Sequence, residues 1–63
     1  MTEADMLDTL AENIRGLGYS TAQADEWAVL IGDTPEIDGS HLIVRSGSEI
    51  VARLPLSAFP DLA

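Results

Sequence analysis

Carboxylates are the residues of this chain best placed to do chemistry. Asp5, Asp8 and Glu12 follow a three-then-four spacing. On a helix that spacing makes one stripe about 10 Å long, at 1.5 Å of rise per residue. Like charges so placed cost a few tenths of a kcal/mol per pair, and nothing basic relieves them before Arg15. Lys and Arg side chains on a partner would complement the stripe; a solvated helix face would look the same. Asp25 and Glu26 add two charges, and Asp33, Glu36 and Asp38 put three in one loop. Hard cations take several oxygens, so calcium is the sharp alternative for that loop. The match fails: with Asp38 and Gly39 at the fifth and sixth positions, Thr34 holds the first and Arg45 the twelfth, where Glu is needed.

Catalytic readings lack parts. A hydrolytic triad would have to use His41, the only His, beside a positioned Ser or Thr, and His41 is expected at an exposed strand start. A carboxylate pair could serve acid and base roles, but 63 residues leave little room for the concave pocket this needs. Gly16-Leu17-Gly18 lacks the strand before it that a dinucleotide loop requires. With no Cys and one His, thiolate and zinc sites are excluded. The expectation is a chain with no catalytic residue, no metal and no cofactor.

The elements that hold these residues follow from periodicity. Thr2 to Leu17 reads as an amphipathic helix, with Leu7, Leu10, Ile14 and Leu17 on one face. Thr2 and Asp5 have capping-box spacing, Arg15 lies in the last turn, and Gly16 or Gly18 can end it. Ser20 and Gln23 repeat the capping spacing, so a short helical segment is expected from Thr21 to about Asp25. Trp27 to Ile31 then reads as a strand apolar on both faces, or as an extension of that helix, since periodicity does not separate the two over so short a run.

Asp33 to Gly39 is expected as a loop, and His41–Ser46 and Ser48–Leu54 as a hairpin. A three-residue connection, with Gly47 in the left-handed bulge position, pairs Leu42 with Ile50 and Val44 with Ser48. It collects Leu42, Val44, Ile50, Ala52 and Leu54 on the buried face, whereas a two-residue connection mixes apolar and charged residues on both faces. His41, Ile43, Glu49, Val51 and Arg53 fall on the other face, leaving apolar area there. Pro55 ends the last strand, and Leu56 to Phe59 forms one helical turn stopped by Pro60.

The fold class is therefore α+β, one domain over residues 1–63: an N-terminal helix and a short helical segment packed on a small antiparallel sheet of about three strands. Leu7, Leu10, Ile14, Trp27, Val29, Leu42, Val44, Ile50, Leu54 and Phe59 should form the core.

Eleven Asp and Glu against three Arg and no Lys give a net charge of −8. A field of one sign repels phosphates and anionic lipid and attracts basic surfaces. Direct nucleic-acid or membrane binding is thus disfavoured. The first residues are acidic, unlike a secretory n-region, and a cytoplasmic location is expected. So small a core is marginal, and the chain is expected as a monomer or weak homodimer.

Tiny size, strong acidity, a helix beginning Thr2-Glu3-Ala4-Asp5 and a Leu42 to Leu54 hairpin together resemble the small anti-CRISPR proteins of phages and mobile elements, in particular type I-C inhibitors of the acidic DNA-mimic kind. The resemblance implies binding to a basic DNA-binding surface of the Cascade effector, such as the large subunit that recognises the protospacer-adjacent motif (PAM), and exclusion of target DNA. Two other classes use the same features. An antitoxin or immunity protein would mask a basic toxin site, and a structural accessory subunit would bind through Ile43, Val51 and Trp27.

Overall fold

The computed structural model describes residues 2–33 (of Asp33 the backbone alone) and 35–62. Helix α1, Glu3–Gly16, begins where the sequence places it. Thr2 Oγ1 accepts the Asp5 N–H at 3.2 Å, and Asp5 Oδ2 accepts the Thr2 N–H at 3.4 Å. These reciprocal bonds satisfy two donors that a helix start otherwise leaves unpaired. At the other end the Leu17 and Gly18 N–H groups bond back to Ile14 and Arg15. Leu10, Ala11 and Ile14 are buried, with Met6 and Leu7 packed at the margin.

Helix α2 runs unbroken over Thr21–Asp33. Its start repeats the capping pattern: Gln23 N–H donates to Ser20 Oγ at 3.2 Å and Ser20 N–H to Gln23 Oε1 at 3.3 Å. Of the two readings open over Trp27–Ile31, the strand is overturned and the helical extension holds. Ala24, Trp27, Ala28 and Ile31 are the buried positions, an i, i+3, i+4, i+7 pattern that only a helix places on one face. Val29 falls between the buried positions and is 58% exposed, not in the core. Helices α1 and α2 approach closely at Gly32, where a Cβ would come within 2.5 Å of Leu7 Cδ2.

The sheet has three antiparallel strands in the order β1, Glu36–Asp38, then β2, His41–Ser46, then β3, Glu49–Pro55. The third strand is thus part of the segment expected as a loop. It pairs Glu36 with Ile43, Ile37 with Leu42 and Asp38 with His41, across a two-residue turn in which Gly39 has φ +61°. The β2–β3 connection also has two residues, not three. Ser46 pairs with Glu49, and Gly47 takes φ +65° at the first loop position, as in a type II′ hairpin turn. The register then shifts between Val44 and Arg45: Arg45 pairs with Ile50 and Val44 with Ala52, leaving Val51 as an extra residue. This bulge explains why the short connection does not scramble the faces. The expected pairs Leu42–Ile50 and Val44–Ser48 are thus replaced: with one inserted residue, Leu42 pairs with Leu54 and Val44 with Ala52, and these four keep the inner face. The bulge also sends Ile50 out beside Arg45, 40% exposed, so Ile50 leaves the expected core.

The core lies between the helices and one sheet face. Ile14, Leu42, Val44, Leu54 and Phe59 are at most 1% exposed, around Leu10, Trp27 and Ile31. Tyr19 meets the Trp27 ring edge-on at 4.7 Å between centroids. Two 3-10 turns, Leu56–Ala58 and Pro60–Leu62, fold Phe59 inward. The first turn ends before Pro60, as expected, and Pro60 opens the second.

These burials separate the two leucines of β2 and β3 from Ile50. Leu42→Ala and Leu54→Ala should each cost about 2–5 kcal/mol in urea unfolding, while Ile50→Ala should cost under about 1 kcal/mol. Equal losses at all three positions would contradict the bulged register.

Candidate functional site

The buried stripe of α1 fixes where its carboxylates stand. Around the helix, Asp5, Asp8 and Glu12 lie on the side away from Leu10 and Ile14, and all three are exposed. Asp25 and Glu26, in the second turn of α2, are also exposed. Arg15 Nη1 reaches Asp25 Oδ1 at 3.7 Å across the helix pair. This contact, with the approach of Gly32 to Leu7 at the other end, shows the two helices to be antiparallel neighbours. They therefore form one layer bearing the Asp5–Asp8–Glu12 stripe and the Asp25–Glu26 pair. Residues 3–33 hold seven carboxylates against Arg15 alone, a net of −6 out of −8.

The loop cluster expected from Asp33, Glu36 and Asp38 is not one unit. The side chain of Asp33 lies outside the described residues. Glu36 and Asp38 stand on β1, on the sheet face that pairs with Ile43 and His41, opposite the face that packs on the helices. Glu36 Oε2 accepts Arg45 Nε–H at 2.6 Å. Among the described residues, no group of three His, Cys, Asp or Glu is close enough to hold a metal ion.

His41 is exposed at the start of β2, with its Nδ1 3.3 Å from Ser40 Oγ. The two border an open groove of about 490 Å³ lined also by Pro55, Leu56, Ser57 and Pro60. An exposed imidazole beside a hydroxyl makes two members of a nucleophilic triad, and the imidazole has no carboxylate within hydrogen-bond reach among the described residues to be the third. A smaller cleft of about 100 Å³ separates α1 from the C-terminal turns, lined mainly by Met6, Leu10, Phe59 and Leu62. No helix among the described residues is long and apolar enough to cross a membrane.

Eight of the eleven carboxylates stand out as candidates in the sequence, but their grouping does not. The Arg45–Glu36 bond needed the β1 pairing, which a three-residue strand of alternating charge does not announce. No family model, curated protein or solved structure matches this chain.

The ion pairs are exposed and should be weak. Arg45→Ala should lower stability by about 1 kcal/mol at most, less in high salt, and Arg15→Ala by less still, as read from urea midpoints. EDTA should leave the melting temperature unchanged; a drop restored by calcium would re-establish the Asp33–Asp38 segment as a metal loop.

Proposed function

We propose that the chain is a non-enzymatic, cytoplasmic inhibitor that presents its acidic helix layer to a basic DNA-binding surface and excludes nucleic acid from it. The single observation that carries this reading is the charge of that layer: exposed Asp5, Asp8, Glu12, Asp25 and Glu26, with Arg15 already bridged to Asp25. Asp5 to Asp8 and Asp8 to Glu12 span about 4.5 and 6 Å of helix rise. A DNA strand carries a phosphate about every 3.4 Å along its axis, so the stripe presents about one charge per one or two phosphates. A row of this kind occupies the Lys and Arg side chains that otherwise neutralise phosphates.

The narrower form of the proposal follows the anti-CRISPR resemblance. The target is then the large subunit of a type I-C Cascade effector, at the surface that reads the PAM. Recognition of the PAM nucleates strand exchange in RNA-guided effectors, so an occupant there stops interference at its first step. An antitoxin or immunity protein would use the same layer against a basic toxin, and pulldown from the native host separates the two by the partner recovered.

The direct test is competition between this protein and a labelled PAM-bearing duplex for the purified effector. The parent should displace the duplex. Asp8→Lys combined with Glu12→Lys should weaken displacement about tenfold or more, because each reversal places like charges together, while folding stays nearly intact. Glu49→Lys, at the hairpin tip, should compete like the parent. Equal competition by the helix-reversed variant at low salt would remove the acidic layer as the working surface.

A further inference from the structure

The cleft between α1 and the C-terminal turns lies beside the acidic stripe. Met6, Thr9, Leu10 and Asn13 follow i, i+3, i+4, i+7 spacing, so they line it from one face of α1. That face is turned away from α2, which α1 meets through Leu7 and Arg15. The 3-10 turns cover it only in part. Leu10 and Phe59, 5% and 1% exposed, close the floor, while Met6 and Leu62 stay half-buried at the mouth. The space left is about 100 Å³. Pockets for drug-sized ligands start at about 300 Å³, and benzene takes a cavity of about 150 Å³. A cofactor is too large for this cleft, and one aliphatic side chain is the right size.

The rim decides what that side chain belongs to. Thr9 has Asp5 four residues before it and Glu12 three residues after it, so both carboxylates are its neighbours on the helix surface. Asp61 stands on the opposite wall. Among the described residues no cation answers them. Arg15 is bridged to Asp25 on the α2 side, Arg45 to Glu36, and Arg53 stands on the sheet face away from the helices. An aliphatic group set between cations fits the hole and its rim together, whereas a second copy at −8 is repelled. We propose that the cleft seats one leucine-sized side chain from a basic segment of the partner, a proposal that rests on the reading above in taking that partner as basic. The segment lies extended along α1. Side chains two residues to either side of the leucine share its face, about 6–7 Å away. Asp5 and Glu12 are about 10 Å apart along the helix, so Lys or Arg at those two positions reaches one carboxylate each. Asn13, half-buried in the wall, offers a donor and an acceptor to the backbone of the segment. Carboxylates alone attract any basic surface, and the seated side chain selects among them.

NMR titration of the labelled protein with two blocked peptides, Arg-Lys-Leu-Lys-Arg and Arg-Lys-Ala-Lys-Arg, tests the proposal. The leucine peptide should bind about tenfold more tightly, the worth of burying most of its side chain. Relative to the alanine peptide it should move the Asn13 and Leu62 amides. Added salt should weaken both peptides and leave their ratio unchanged, because apolar burial is not screened. Thr9→Phe, a change at an exposed helix position, crowds the cleft with every charge in place. In that variant, folded by circular dichroism, the ratio should fall close to one. A parent that binds both peptides equally, in a salt-dependent way, would overturn the cleft and leave the acidic layer standing. So would a tenfold ratio that survives Thr9→Phe, or leucine-specific shifts away from the cleft. No binding of either peptide at low salt would overturn the layer and the cleft together.

Discussion

Ala24 and Ala28 let α2 lie close within the core, and most of the molecule follows from that closeness. Their small side chains bring Trp27 and Ile31 against the same cluster that holds Leu10, Ile14, Leu42, Val44 and Leu54. Gly32 brings the far end of α2 onto Leu7. With no Cys to staple the chain, this single layer of contact between two helices and one sheet face supplies the stability, and so small a core leaves little margin. Removing a methyl group from it matters more than removing any surface ion pair.

The same packing sorts the charge. A helix that buries one stripe must turn its polar residues outward, and on α1 that outward side bears Asp5, Asp8 and Glu12 with no cation among them. Arg15 is drawn to Asp25 at the helix seam. Arg45 and Arg53 come from strands whose other residues face the core, so alternation throws them to the opposite side of the molecule. The result is a strongly acidic helix layer backed by a neutral sheet face.

Sequence alone made α1 legible down to its capping box, because cap, stripe and stop all agree over a long element. It also made legible the inward set Leu42, Val44, Ala52 and Leu54, which period-two alternation marks. Trp27–Ile31 was not decidable: five apolar residues fit a strand or a buried helix equally, and only the wider spacing from Ala24 to Ile31 favours the helix. The hairpin register failed for a different reason. A uniform ladder forced a choice between loop lengths, and the bulge at Val51 allowed a two-residue loop and a clean inner face together. Gly47 was placed correctly at positive φ in the wrong turn. The strand Glu36–Asp38 carries too little apolar signal to be seen, and so the grouping of Glu36 with Arg45, away from the helix carboxylates, was hidden as well.

A nitrogen-15 NMR titration with an arginine-rich peptide tests the charge layout most directly, since each backbone amide reports its own surface. The account predicts the largest shifts around Asp8, Glu12, Asp25 and Glu26 on α1 and α2, fading with added salt, with little change along Glu36–Asp38 and β3. Shifts concentrated on β1 and β3, with the helix amides unmoved, would contradict it.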